Sequence, residues 1–203
     1  MTEVLLVDDH PLTNYGLASF LEETGRFRIG GQANNLSEAK RFIEETKKLP
    51  SLIMLDIMLG EENGLDFLSF LKSHCRETHT GMPSVLVCSV HEDPFRIQTA
   101  LKLGASGYIS KSGSKTELLD AIDTVLRGGV FISSECSVKL SKSLGTYEQF
   151  TKRELEILNL IKQNKSNQEI AKALYISIRT VENHISNIYF KTGRVNRQEL
   201  EKL

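Results

Sequence analysis

From its start to about Gly128, the chain alternates between short apolar runs and longer amphipathic stretches. The runs have the length of buried strands, and the stretches repeat apolar residues at helical spacing. Five strand–helix units in succession predict an α/β domain whose parallel sheet is covered by helices on both faces. The predicted strands are Glu3–Asp8, Phe27–Ala33, Ser51–Asp56, Ser84–Ser89 and Gly107–Ser110, and the predicted helices lie near Leu12–Glu23, Ser37–Lys48, Gly64–Ser73, Pro94–Leu103 and Lys115–Arg127.

The last third of the chain shows only helical periodicity. Residues 129–149 are polar, and although Ser134–Leu144 could form a short helix, the Ser, Lys and Gly content favours a linker. Residues 150–203 then carry four helix starts, and two of these are capping boxes. The spacing predicts a compact four-helix domain whose second and third helices form a helix-turn-helix. The starts are Thr151 with Glu154, Ser166 with Glu169, Ser177, and Asn196, which opens a last helix to Leu203; Gly193 ends the third helix.

Acidic residues follow two of the predicted strands. Asp8 and Asp9 end the first strand, and Asp56 ends the third. In a flavodoxin-like sheet, with strand order 2-1-3-4-5, ligands bind at the carboxyl ends of the first and third strands. Two unit charges about 4 Å apart repel by roughly 4 kcal/mol at an effective dielectric near 20. A carboxylate cluster therefore needs a cation, and a divalent metal beside a carboxylate is suited to phosphoryl chemistry.

The composition is that of an ordinary globular protein. The chain has 203 residues, of which 40% are hydrophobic and 25% charged, so two small domains with packed cores are expected. No apolar stretch approaches the roughly 20 residues of a membrane span, and no signal peptide is recognisable. The three cysteines, Cys75, Cys88 and Cys136, are odd in number and unpatterned, which favours reduced thiols in the cytoplasm. No membrane contact is expected.

The net charge of −1 is unevenly distributed. From Phe150 to Leu203, ten Lys or Arg residues stand against six Asp or Glu residues, which leaves Met1 to Gln149 with a balance of −5. An acidic part joined to a basic part indicates a nucleic-acid partner for the basic part, although many charged faces are merely solvated.

A known family carries these same residues. Residues 1–128, with Asp8-Asp9, Asp56, Ser89 and Lys111 at or just after strand ends, resemble the receiver domain of two-component response regulators. The whole chain is similar to the NarL/FixJ (LuxR-type) subfamily, in which a receiver precedes a four-helix DNA-binding domain. The motifs that carry the resemblance are Val7-Asp8-Asp9-His10-Pro11, Asp56-Ile57 with Gly64-Leu65, Gly104-Ala105-Ser106-Gly107-Tyr108, Ser166-Asn167-Gln168-Glu169-Ile170-Ala171, Thr180-Val181 and His184.

The resemblance implies a role for each receiver residue. Asp56 would be the phosphoacceptor, because a carboxylate can attack a phosphoryl group and form an acyl phosphate. Mg²⁺ would neutralise the developing charge; its ligands would be Asp9, Asp56, the backbone carbonyl of Met58, and Asp8 through water. Lys111 and Ser89 would contact the phosphoryl oxygens, and Tyr108 would fill the space that Ser89 leaves. The alternatives are that Asp9 caps the first helix, that Lys111 is a solvated surface lysine, and that Tyr108 is an ordinary sheet-edge aromatic.

The predicted recognition helix buries Val181, Ile185 and Ile188 and enters the major groove of DNA. Asn183 suits adenine and Glu182 suits cytosine N4, whereas backbone phosphates position the protein without specifying sequence. Glu182 departs from the family, which commonly has a lysine there. The outward residues are Arg179, Glu182, Asn183, Ser186 and Asn187, and the expected phosphate contacts are Arg179, Thr180, Lys191, Arg194 and Arg197.

These residues predict a transcription regulator controlled by phosphorylation. Its expected partners are a histidine kinase, double-stranded promoter DNA and, when phosphorylated, a second copy of the chain. Catalysis would be limited to self-phosphorylation and slow autodephosphorylation. Two other functions stay open: a metal-dependent phosphotransfer enzyme with a protein-docking tail, and a regulator that binds proteins or acts unphosphorylated. A zinc site at His74, Cys75, His79 and Cys88 lacks paired ligand spacing.

Overall fold

The computed structural model describes residues 1–92, 94–144, 151–192, 194 and 196–201. The chain divides into two compact units, Met1–Ser141 and Lys142–Leu203. We describe each unit by itself. Within the described residues, no helix is both long enough and apolar enough to cross a membrane.

The first unit is a parallel sheet with helices on both faces. Its elements are β1 Thr2–Val7, α1 Pro11–Glu23, β2 Phe27–Ala33, α2 Leu36–Glu45, β3 Leu52–Leu55, β4 Met58–Leu59, β5 Glu62–Asn63, α3 Gly64–Glu77, β6 Ser84–Ser89, α4 Pro94–Leu103, β7 Gly107–Ser110, α5 Lys115–Leu126, β8 Phe131–Ile132 and α6 Ser134–Leu144. Six of the strands form the parallel sheet, in the order β2-β1-β3-β6-β7-β8, and β4 and β5 form a separate antiparallel pair.

The five predicted strands have the predicted flavodoxin-like order, but the sheet contains a sixth strand. β8 pairs in parallel with β7, with Tyr108 opposite Ile132. β8 has only two residues, which is too short for a periodicity to show. The prediction of a five-stranded sheet is therefore one strand short.

The stretch predicted as a linker, 129–149, is largely folded. Residues up to Ser141 belong to the first unit, because Cys136 is fully buried in its core and Leu140 packs against the same cluster. Between Ser134 and Lys139 the other α6 residues are exposed and mostly polar, so two apolar positions four apart do not outweigh the linker-like composition. Residues 145–150 lie outside the described part of the chain.

The strand residues alternate between two cores. Leu5, Val7, Ile53 and Leu55 face α2, α3 and α4, whereas the residues between them, such as Leu6 and Met54, face α1 and α5. Successive strand residues point to opposite faces, and both faces are covered. β3 is therefore apolar at every position, and β1 is apolar from Val4 to Val7, as expected for a sheet covered on both faces.

The start of α3 lies against the loop that follows β3. The Gly64 N–H donates to the Ile57 carbonyl at 2.7 Å. A Cβ on Gly64 would lie 2.2 Å from the Asp56 carbonyl oxygen and 2.9 Å from the Ile57 Cα. This close approach of two backbones requires glycine and holds the Asp56 loop in place.

The second unit is a four-helix domain. Its helices are α7 Lys152–Lys162, α8 Asn167–Leu174, α9 Ile178–Thr192 and α10 Arg197–Glu201. Both predicted capping boxes are present, at Thr151 with Glu154 and at Ser166 with Glu169. The core contains Ile161, Ile170 and the three predicted residues of α9. The proposed helix end at Gly193 and the predicted last residue Leu203 lie outside the described residues.

Two glycine substitutions test how the first unit is packed. Gly64→Ala should destabilise it by about 1–3 kcal/mol, because the new methyl group meets backbone atoms that cannot yield cheaply. Gly16→Ala is the matched control, because a Cβ there, inside α1, meets nothing within 4 Å. It should stabilise the unit by up to about 1 kcal/mol through helix propensity. Urea unfolding followed by methyl NMR of the first unit measures both changes, and equal stability of Gly64→Ala and wild type would contradict the packing.

Candidate functional site

Four neighbouring strands deliver polar side chains to one edge of the sheet. Asp8 follows β1, Asp56 follows β3, Ser89 ends β6 and Lys111 follows β7. Val7 pairs with Leu55, and the Asp56 N–H donates to the Val7 carbonyl at 2.8 Å. The register therefore places Asp8 and Asp56 side by side, and they are only 4% and 3% exposed.

Lys111 joins the two buried carboxylates. Its Nζ lies 2.6 Å from Asp8 Oδ2 and 2.6 Å from Asp56 Oδ2, and its side chain is 16% exposed. Burial lowers the pKa of the Lys111 ammonium, but the bonds to Asp56 and Asp8 outweigh burial and raise that pKa above its ordinary value. Lys111 is therefore a fixed cation in the site, and not a solvated surface lysine.

Asp9 completes a set of oxygen ligands. Its Oδ2 accepts from the Gly60 N–H at 2.9 Å, and the residue that caps α1 is His10, so Asp9 is not the helix cap. Asp9 Oδ1 is buried and accepts no well-aligned hydrogen bond, although His10 Nδ1 is 2.9 Å away. Ligand atoms of Asp8, Asp9, His10 and Asp56 all lie within 4.8 Å of one another. A carboxylate set with an unsatisfied oxygen suits a hard divalent cation.

One backbone N–H and one side chain hold the Asp56 carboxylate in a fixed orientation. The Met58 N–H donates to Asp56 Oδ1 at 3.1 Å, while Lys111 holds Oδ2. Both oxygens therefore have partners, and the carboxylate is oriented before any ligand binds. Met58 itself was expected to ligate metal through its carbonyl; the structure describes its N–H bond to Asp56.

Ser89 and Tyr108 are linked through the loop after β6. The His91 N–H donates to Ser89 Oγ at 3.2 Å, and the Tyr108 hydroxyl donates to the His91 carbonyl. Tyr108 is fully buried, and β8 covers β7 on its far side, so Tyr108 is not on a sheet edge. The Tyr108 ring thus already occupies an inward position beside the loop that follows Ser89.

The predicted DNA-reading residues lie on α9. Val181, Ile185 and Ile188 are buried, as predicted. Of the remaining predicted contacts, Ser186 and Thr180 are half-buried, and Thr180 lies against the Ser177 hydroxyl at the start of the helix. The exposed members of the set are Arg179, Glu182, Asn183, Asn187 and Arg194.

Two predicted phosphate contacts bind other side chains of the second unit. Lys191 Nζ lies 2.7 Å from Glu154 Oε2, and the Lys191 side chain is only 12% exposed. Arg197 donates to Asn167 Oδ1 at 3.0 Å and to the Lys165 carbonyl. These cations tie α9 and α10 to α7 and α8, so the structure favours a structural role over DNA contact for both.

Glu154 is buried and charged, whereas the capping-box pattern predicts for it only a role at the start of α7. Burial raises the pKa of its carboxyl, but hydrogen bonds from Lys191 and Thr151 outweigh burial and hold that pKa below its ordinary value. The capping box identified Glu154; no local pattern could reveal that Lys191, 37 positions later, would be its partner.

Two protein-family models cover most of the chain. The response regulator receiver domain matches residues 4–123, and the luxR family of bacterial regulatory proteins matches residues 148–202. This chain belongs to the LuxR-type response regulators. It is therefore a DNA-binding transcription regulator of a two-component system, with a receiver in its first unit and a helix-turn-helix in its second.

Similar proteins include regulators that the chain matches over almost their whole length. The chain is 34% identical to the transcriptional regulatory protein LiaR of Bacillus subtilis (strain 168), over 98% of this chain and 94% of that protein. It is 33% identical to the response regulator VraR of Staphylococcus aureus (strain COL), over 93% and 89%. The structure of RcsB from Salmonella enterica serovar Typhimurium, bound to promoter rprA with the phosphomimetic BeF3⁻, has a TM-score of 0.65 and 22% identity, over 99% and 96%. At that identity the likeness shows the fold alone.

The Glu154–Lys191 pair predicts how the response regulator's second unit responds to acid. Because the folded-state pKa of Glu154 is lowered, the pair stabilises the unit above pH 4.5, the ordinary value, and this stabilisation is lost as pH falls below it. Glu154→Gln should cost about 1.5–3 kcal/mol at neutral pH and flatten the acid dependence. Urea unfolding at several pH values, followed by the methyl signals of Ile161 and Ile185, measures both effects.

Glu156→Gln is the control for this experiment, because Glu156 forms an exposed pair with Arg153 on the same helix. Such surface pairs contribute about 0–1 kcal/mol. A Glu154→Gln protein with the same acid dependence as wild type would refute the structural role of the pair.

Proposed function

We propose that this regulator accepts a phosphoryl group on Asp56 from a histidine kinase and, once phosphorylated, binds promoter DNA as a dimer. The observation that carries the proposal is the pairing of Lys111 with two buried carboxylates beside an unsatisfied oxygen of Asp9. A site with this much buried negative charge and one fixed cation is built to receive a further cation and an anionic group.

The residues of the site suit an in-line transfer. An Asp56 oxygen attacks phosphorus as the bond from phosphorus to the donor's imidazole nitrogen breaks, and the bonding electron pair returns to the imidazole. Met58 and Lys111 fix the attacking carboxylate, which lowers the entropic cost of reaching the aligned geometry. Lys111 then transfers its hydrogen bond to the phosphoryl oxygens, and the Ser89 hydroxyl donates another.

Mg²⁺ is the metal that fits this donor set, and Asp8, Asp9, Asp56 and the Met58 carbonyl would hold it. When bound, it supplies charge neutralisation for the phosphoryl oxygens. The chain's own reactions would be self-phosphorylation from small acyl phosphates and slow hydrolysis of the aspartyl phosphate. Three free and buried cysteines are consistent with action in the cytoplasm.

For DNA binding, we propose that α9 lies in the major groove. Asn183, Asn187 and Ser186 would contact bases, together with Glu182. Arg179, Thr180 and Arg194 would contact the backbone; Lys191 and Arg197 would support the domain, since their charges are engaged within it. RcsB, which shares the fold, was solved on promoter DNA. Helix-turn-helix dimers read two half-sites about one helical turn apart, so the phosphorylated dimer would bind a site of that spacing.

Phosphorylation of Asp56 is tested by intact mass spectrometry after incubation with acetyl phosphate and magnesium. Wild type should gain about 80 Da, the mass of one phosphoryl group, and Asp56→Asn should gain nothing. Asp66→Asn, a carboxylate on α3, is the control and should gain the same mass as wild type. Chelating the magnesium should prevent the gain. A label that persists in Asp56→Asn would refute the assignment.

Glu182 is tested by replacing it with the lysine that is common in the family. Glu182→Lys should raise affinity for nonspecific DNA and increase the salt dependence by about one phosphate contact. It should also reduce discrimination between sites by about 1–3 kcal/mol if Glu182 accepts from cytosine. Fluorescence anisotropy with several duplexes measures this.

Glu156→Lys, the same charge change on α7, serves as the control and should leave discrimination unaltered. A gain for Glu182→Lys that is equal on all sequences would show that Glu182 reads no base.

A further inference from the structure

Helix α6 is fastened to the core of the first unit at three points. The Ser133 N–H, at its start, donates to the Tyr108 carbonyl at 3.0 Å. Cys136 is fully buried in the cluster that contains Tyr108, Ile97 and Ala100. Lys139 Nζ lies 2.5 Å from Glu92 Oε2. α6 therefore contacts both Tyr108 and the loop after β6.

That loop is linked to Ser89, the last residue of β6, whose hydroxyl would donate to a phosphoryl group on Asp56 under the proposed function. Ser89 Oγ accepts a hydrogen bond from the His91 N–H, and the His91 carbonyl accepts one from the Tyr108 hydroxyl. Glu92 is the next residue along. Because Glu92 is covalently joined to His91, holding Glu92 restrains the backbone that hydrogen-bonds to both Ser89 and Tyr108.

Glu92 is held from two sides. The Lys139 ammonium donates to its carboxylate, and the side chains of Lys139 and Ser110 together hold the pKa of the Glu92 carboxyl below its ordinary value. The Glu92 side chain is only 13% exposed, whereas the Lys139 side chain is 51% exposed. Glu92, on the loop, is therefore fixed in the protein, and Lys139, on α6, reaches it from the solvent side.

We propose that Lys139 is a positioning residue for the phosphoryl chemistry at Asp56: by holding Glu92, it keeps Ser89 and His91 in place over the acyl phosphate. This inference rests on the proposed phosphorylation of Asp56. It adds to that function a residue of α6, far along the chain from the receiver's strand-end residues.

The coupling runs in both directions. If Lys139 stabilises the loop arrangement that binds a phosphoryl group, then a phosphoryl group stabilises the attachment of α6 by the same free energy. α6 continues past Ser141, where the first unit ends. Phosphorylation of Asp56 would therefore strengthen the attachment of α6, the helix that leads to the second unit.

The test compares Lys139→Gln, Glu92→Gln and the exchanged double variant Glu92→Lys/Lys139→Glu with wild type. Each full-length protein is phosphorylated with acetyl phosphate and magnesium, the donor is removed, and loss of the phosphoryl group is followed by intact mass. Both single variants should lose it about two- to fivefold faster, the range expected for one partly exposed ion pair. The exchanged variant should recover at least half of the lost lifetime. Lys102→Gln, an exposed lysine on α4, is the control and should match wild type.

Hydrogen exchange of the α6 amides supplies a second readout. Beryllofluoride should increase their protection in wild type and in Lys102→Gln, and should do so less in Lys139→Gln. Lifetimes and protection in Lys139→Gln equal to those of wild type would overturn the inference, as would an exchanged variant as short-lived as the single ones. Failure of wild type itself to take up a phosphoryl group would instead refute the proposed function.

Discussion

The arrangement of the receiver depends on one ion pair network, in which Lys111 bridges Asp8 and Asp56. Two nearly buried carboxylates at adjacent strand ends would repel each other and would be costly to desolvate if no cation lay between them. Lys111 supplies that cation from the end of β7, and the bonds keep it charged. The network also leaves an oxygen of Asp9 unsatisfied. The same electrostatics that hold the resting site together thus leave carboxylate oxygens of the kind that a hard divalent cation binds.

Much of this fold could be predicted from local patterns. Fully apolar runs marked the central strands because both faces of the sheet are covered, and the capping boxes marked two helix starts because they involve residues only three apart. The cluster of Asp8, Asp9 and Asp56 followed from the rule that parallel strands end at a common edge, whereas Lys111 was identified by the resemblance to receiver domains. What the patterns missed depends on contacts distant in sequence. β8 is defined by its pairing with β7. α6 has the bounds of the possible short helix, but its place in the first unit depends on the burial of Cys136 against residues of other elements.

The DNA-binding unit shows the same limit for charged residues. Spacing correctly separated the buried face of α9 from the exposed face. Spacing does not show whether a basic side chain is engaged by the protein itself, and both Lys191 and Arg197 are. The number of basic residues therefore overstates the number of cations available to DNA. The receiver and the helical unit each contain a largely buried lysine paired with a carboxylate: Lys111 with Asp56, and Lys191 with Glu154.

The central claim is that the state of the Asp56 site controls DNA binding, and the most direct measurement is DNA affinity with and without beryllofluoride. The DNA is a duplex selected by this protein from a random-sequence pool, and magnesium is present throughout. The account predicts that beryllofluoride tightens binding by about 5- to 150-fold, the usual range of allosteric coupling, and that Asp56→Ala abolishes the effect. Equal affinity in both conditions, or the same gain in Asp56→Ala, would contradict it.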